Sequence, residues 1–135
     1  ERCVSRRVGQ IFIENALMGK PLTIKGDANE KLDFTYIEDL VQGIKLVIEN
    51  KNSRNQVFNL TYGESRSIND MAEIAKEHFN GLKIEYGEKE PFTPTRGTLD
   101  ISKAKQLLGY EPINPLEVAY PKYINWYKDL WNKYN

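Results

Sequence analysis

Three carboxylates flank one short run of the chain. In GDANEKLDFTYIEDL, residues 26 to 40, Asp33 precedes Phe34-Thr35-Tyr36-Ile37, and Glu38 and Asp39 follow it. Two carboxyl groups held close together can do general acid–base chemistry, one kept protonated and the other ionised. The same residues also suit a strand-to-helix joint. Thr35 and Glu38 have capping-box spacing, and Glu38 and Asp39 would lie in a first helical turn, where the macrodipole favours negative charge. Capping logic favours the joint.

Other chemistries fare worse. A Ser-His-Asp type of triad needs a histidine base, and His78 is the sole histidine, late on a helix beside Phe79. A tyrosine base can be activated by a lysine one helical turn later, because the ammonium lowers the phenol pKa. No tyrosine has that partner: Tyr36 is followed by Leu40, Tyr62 by Arg66, Tyr86 by Glu90, Tyr120 by Ile124 and Tyr127 by Trp131. A phosphate-cradling loop needs clustered glycines between a strand and a helix, and the nine here are scattered from Gly9 to Gly109. Cys3 and His78 are the only soft or imidazole ligands, so no metal site is expected. Asn59-Leu60-Thr61 matches a glycosylation acceptor, read here as chance. No catalytic residue is assigned.

The elements that would carry these residues follow from periodicity. Val8, Ile11, Phe12, Ala16 and Leu17 recur at helical spacing, with Gly19-Lys20-Pro21 as the stop. Leu22–Ile24 is a strand, Phe34–Ile37 a second strand, and Leu40, Val41, Ile44, Val47 and Ile48 one face of a helix. Gln56–Leu60 reads as a buried strand. Ser67 with Asp70 opens a helix carrying Ile68, Met71, Ala72, Ala75 and Phe79 inward, ended by Asn80-Gly81. Leu82–Tyr86 alternates as a strand, and residues 87 to 98 are irregular. Asp100 caps a helix over Ile101–Leu108 that stops at Gly109. Asn114-Pro115-Leu116-Glu117 starts the last helix, whose apolar face includes Leu116, Tyr120, Tyr123, Ile124, Tyr127, Leu130 and Trp131. Pro121 should kink or interrupt it.

The whole chain has 135 residues, the size of one domain, with 40% apolar and 28% charged residues, as suits a globular fold. Nineteen basic residues balance nineteen acidic ones, which argues against nucleic acid as a partner. Arg2, Arg6 and Arg7 read as a solvated helix start. No apolar stretch is long enough to span a bilayer, so no membrane partner is expected. A single cysteine suits a reducing cytoplasm, the expected location. The chain begins with Glu1 and reads as if entered partway through a longer sequence.

Four segments in order carry a resemblance: VGQIFIENALMGKPLTIKGD, LDFTYIEDLVQGI, QVFNLTYGESRSINDM and RGTLDISKAKQLLGYEP. Together they resemble the C-terminal, substrate-binding part of extended short-chain dehydrogenase/reductases, in the NAD-dependent nucleotide-sugar epimerase/dehydratase group. The implied fold is α/β, about five helices with short strands, forming a single substrate-binding domain over residues 1–135. The Rossmann half, with the cofactor loop, the catalytic tyrosine and lysine and the bound NAD, would lie upstream. The implied partner is a nucleotide-diphosphate sugar. The parent's chemistry would be sugar oxidation by hydride transfer to NAD, rearrangement, then return of the hydride. Epimerase, dehydratase and decarboxylase all remain open, and the isolated chain would be inactive.

The resemblance also implies a substrate-binding set. Thr23, Ile24 and Lys25 fall on the strand whose backbone lies against the nucleotide base, and Val8 and Phe12 on the helix walling that pocket. Core packing accounts for those two equally well. Leu32 stands where many relatives have an arginine that forks onto the diphosphate, the sharpest departure. Arg96 matches an arginine some relatives place near the diphosphate; a surface ion pair is the alternative. Lys31 or Lys25 would partly replace the lost charge. An exposed sheet edge or apolar surface would make the chain a homo-oligomer. Two competing readings are a stand-alone binding or oligomerisation module and an α/β domain with a packing role only.

Overall fold

A computed structural model describes residues 7–89 and 96–134. Readings placed on Arg2, Cys3 and Arg6, and on part of the irregular stretch after residue 87, lie outside those residues. The chain is α/β, with five α-helices and four short strands among the described residues. It forms two compact units. The first gathers the described parts of Glu1–Asn29, Ser67–Pro94 and Tyr120–Asn135; the second gathers those of Glu30–Arg66 and Thr95–Ala119.

Unit one holds α1 (Val8–Leu17), β1 (Leu22–Lys25), α3 (Ile68–His78), β4 (Ile84–Gly87) and most of α5 (Leu116–Tyr134). β1 and β4 run parallel, with Leu22 opposite Ile84 and Lys25 opposite Gly87. Alternation along β1 buries Leu22 and Ile24 and exposes Thr23 and Lys25, as a half-covered strand should. Phe12, Ile13, Met71, Ala72, Ala75, Tyr120 and Ile124 complete this core. Gly9 permits a close approach: a Cβ there would lie 3.3 Å from the Tyr120 ring, whose hydroxyl donates to the Gly9 carbonyl at 2.9 Å. α3 opens on the expected capping box, with Ser67 Oγ accepting from Asp70 N at 3.0 Å and Asp70 Oδ2 from Ser67 N at 2.8 Å.

Unit two holds β2 (Lys31–Leu32), α2 (Ile37–Glu49), a 3₁₀ turn at Lys51–Ser53, Arg66 of β3 (Arg66–Ser67), α4 (Ser102–Leu108) and the start of α5. Its core is Ile101, Ala104, Leu108 and Tyr110, with Leu46, Val47, Phe58 and Leu60 against it. α4 starts at Ser102, one residue later than expected, with Ile101 in place of Asp100 as its N-cap and no side-chain cap bond, although Asp100 Oδ1 accepts from Ser102 N at 2.8 Å; it stops at Gly109, left-handed at φ 67°.

Several expectations are corrected. Phe34–Ile37 is no strand; the pairing falls on Lys31–Leu32, and Ile37 already begins α2. The Thr35/Glu38 capping box does not form, because Tyr36 is the N-cap and contributes no side-chain bond. Thr35 then stands one residue too early and Glu38 one turn position short. Gln56–Leu60 forms no strand either. The run is apolar, but among the described residues no neighbouring strand pairs with it, and Val57 is 82% exposed. β4 runs Ile84–Gly87, starting two residues later than the predicted Leu82. α5 starts at Leu116, with the Pro115 carbonyl accepting from Val118 and Ala119, and it is not interrupted at Pro121. Among the described residues no helix is long and apolar enough to cross a membrane.

Candidate functional site

The substrate-binding set divides between the units. Val8, Phe12, Thr23, Ile24 and Lys25 lie in unit one; Leu32 and Arg96 lie in unit two. Phe12 and Ile24 are deep in the first core, so their side chains are packing groups, and only main-chain atoms of Ile24 are available to a ligand. Thr23 and Lys25 face outward, and Val8 is half-buried. Among the described residues β1 pairs with β4 alone, leaving its other edge without a strand partner. A strand edge offers alternating N–H and C=O groups, which suit the edge of a planar base.

The same unit carries a buried carboxylate that the apolar pattern of α1 did not flag. Glu14 Oε1 accepts from Tyr127 Oη at 2.6 Å and from Gln10 Nε2 at 2.8 Å. Burial, then the hydrogen bond to Glu14, raises the Tyr127 phenol pKa. A glutamate four residues after a glutamine was the available signal.

In unit two, Arg96 is exposed and heads a segment held by its backbone and small polar side chains. Thr98 Oγ1 donates to Ser65 Oγ at 2.6 Å and accepts from Ser65 N at 3.3 Å. Leu99 N donates to Asp33 Oδ2 at 3.1 Å, and the Asp100 carbonyl accepts from Asn59 Nδ2 at 2.9 Å. Asp33 also accepts from Thr61 Oγ1 at 2.8 Å and Gly63 N at 3.2 Å. Gly63 is required there: φ is 83°, and a Cβ would meet Ile101 Cδ1 at 2.6 Å. Leu32, on β2, offers no hydrogen bond from its side chain where a guanidinium would fork.

Asp33 and Asp39 are therefore joints, though with other partners than the capping box. Asp39 is buried, with Oδ1 accepting from Ile113 N and Asn114 Nδ2 and Oδ2 from Asn114 N. Arg66, which sequence reasoning did not single out, pairs with Glu117 at 2.6 Å, and that hydrogen bond raises its pKa. Four further tyrosines are held in the protonated form. Burial first, then Glu38 and Asp39, raises Tyr36; burial raises Tyr110, Tyr120 and Tyr123 as well.

A dinucleotide site of the usual kind needs a glycine-rich turn opening a helix. Among the described residues α1, α2, α3, α4 and α5 open after Arg7, Tyr36, Ser67, Ile101 and Pro115, none of them glycine. These helix openings do not fit NAD. Among the described residues no three His, Cys, Asp or Glu side chains gather to hold a metal.

The fold superposes on part of several epimerases, and residues 3–61 match a family described as the NAD dependent epimerase/dehydratase family. An uncharacterised UDP-glucose epimerase of Bacillus subtilis is 36% identical over 117 residues, 81% of this chain and 37% of the relative. Among solved structures, an epimerase of Methanothermobacter thermautotrophicus superposes with a TM-score of 0.90 and 28% identity, over 96% of this chain and 39% of its own. UDP-glucuronic acid 4-epimerase of Bacillus cereus, solved with UDP-glucuronic acid and NAD, gives 0.84 and 31%, over 92% and 40%. The chain thus spans about two fifths of the length of these relatives.

Proposed function

We propose that this chain is the substrate-binding domain, residues 1–135, of an NAD-dependent enzyme that epimerises, dehydrates or decarboxylates a nucleotide-diphosphate sugar. The observation that carries it is the likeness to the Bacillus cereus epimerase, whose structure holds UDP-glucuronic acid and NAD. On this reading Thr23, Ile24 and Lys25 meet the base through their backbone, with Val8 and Phe12 stiffening the wall behind them. Arg96 meets the diphosphate as a forked cation, and Leu32 contributes only apolar contact. NAD and the catalytic tyrosine and lysine belong to the rest of the parent protein, in the cytoplasm.

The chain alone therefore binds without turning over. Mixed with UDP-glucose and NAD, it should transfer saturation to the uracil protons in NMR and yield no new sugar. Sugar product, or no saturation transfer to the base protons of any of UDP-, dTDP-, CDP- and GDP-glucose, would overturn the reading.

A second property follows from the surface of unit two. Ile37, Val41, Ile44 and Ile48 form an exposed stripe along α2, at spacings of four, three and four, and Val57 is exposed as well. This supports self-association of the chain as a homo-oligomer.

A further inference from the structure

Asp33 lies 63 residues from Arg96 in sequence, yet it holds the segment that Arg96 heads. Three consecutive residues of that segment are tied down: Thr98 to Ser65, Leu99 to Asp33, and Asp100 to Asn59. Arg96 stands two residues upstream, so its Cα is within about 7 Å of the first tie. Asp33 is the one charged anchor of the three, and its carboxylate takes two main-chain N–H groups and a hydroxyl. A carboxylate accepting several such bonds is a stronger anchor than a neutral amide or hydroxyl. Among the described residues its bonded partners are all neutral groups and do not include the Arg96 guanidinium.

We infer that Asp33 is a positioning residue for Arg96: by gripping Leu99 N and the 61–63 turn, it fixes where the Arg96 guanidinium meets the diphosphate of a nucleotide ligand. The inference rests on the nucleotide-sugar reading and adds a residue to it. Asp33→Asn preserves shape but places an NH₂ against a donor N–H, whichever way the amide turns. At least one tie is lost, and the base of the Arg96 segment loosens. The base contacts on β1 belong to unit one and do not depend on Asp33.

Calorimetric titration with UDP and with uridine separates these effects in four proteins: wild type, Arg96→Ala, Asp33→Asn and the double variant. Losing a charge-assisted contact should weaken UDP binding about tenfold in Arg96→Ala. Asp33→Asn should weaken it several-fold, and the double variant should be no weaker than Arg96→Ala alone, because both act through one contact. Uridine affinity should be equal in all four. Amide exchange at Leu99 should quicken in Asp33→Asn while the β1–β4 amides keep their protection. If Asp33→Asn does not fold, Thr98→Val loosens the neighbouring tie and should give the same pattern.

UDP binding by Asp33→Asn equal to wild type, additive losses in the double variant, or a matching loss for uridine would each overturn the positioning role. Those outcomes leave the nucleotide reading standing. The titrations use the diphosphate and nucleoside that wild type binds best, and wild type that binds none of UDP, dTDP, CDP and GDP would overturn that reading, and the inference with it.

Discussion

Asp39 and Asn114 are joined twice, 75 residues apart. Asp39 Oδ2 accepts from the Asn114 main-chain N–H at 3.0 Å, and Oδ1 from its side-chain Nδ2 at 2.9 Å. Both residues are buried, and Asp39 lies in the first turn of α2, where the helix dipole also favours its charge. Replacing one oxygen by an NH₂ leaves at least one buried donor facing a donor. Asp39→Asn should therefore lower the unfolding free energy by about 2 kcal/mol in denaturant titration. A change below about 0.5 kcal/mol, the usual range for an indifferent surface site, would contradict the joint.

Tyr110 sets an alkaline limit. Burial first, then the charges of Asp39 and Asp33, pushes its phenol up to about 12 from the ordinary 10.0. Below pH 10 the folded and unfolded chains both keep this proton, and stability is unaffected. Between pH 10 and 12 the unfolded chain releases it and the folded chain does not, so stability should fall across that window. Tyr110→Phe should remove this part of the alkaline loss. It should cost about 1 kcal/mol at neutral pH, since the Tyr110 hydroxyl donates to the Thr61 carbonyl at 3.1 Å. Urea midpoints at neutral and alkaline pH check both parts, and an equal alkaline loss in the variant would contradict them.

Gly43 is buried in the middle of α2, where alanine would ordinarily favour the helix by about 1 kcal/mol. Space reverses that expectation. A Cβ would sit 2.9 Å from Tyr110 Cε2 and 3.1 Å from Leu60 Cδ2, both part of the second core. Overpacking of this kind costs about 1–3 kcal/mol, so Gly43→Ala should be net destabilising. A rise in melting temperature would show that Tyr110 and Leu60 yield more readily than their burial implies.

What was legible in the sequence was local. The Ser67/Asp70 capping box and the Gly109 stop depend on residues a few positions apart, and both formed as read. The joint reading of Asp33 and Asp39 was sound in kind, yet their partners lie 28 to 75 residues away. No spacing rule reaches that far. Residues 56 to 60 show the converse failure, because a short apolar run becomes a strand only beside another strand. Ordered segments resembling an enzyme family gave the fold and named Arg96. They could not reveal that its segment is tied through Thr98, Leu99 and Asp100.

The stripe on α2 makes a prediction about association. Ile48 is 78% exposed and Ile37 61%, and a charge placed between them should be tolerated by the fold. Sedimentation of the wild-type chain should show mass above the monomer that grows with concentration, and Ile44→Lys should return it to the monomer. A wild type that stays monomeric at high concentration would contradict the apolar contact.

Thermal stability against UDP-, dTDP-, CDP- and GDP-sugars tests the nucleotide-sugar reading most directly. A ligand at about a hundred times its dissociation constant should stabilise the folded chain by about 2.7 kcal/mol. One nucleotide should raise the melting temperature, and Arg96→Ala should reduce or abolish the rise. No shift with any of the four sugars would contradict the assignment of this chain as a substrate-binding domain.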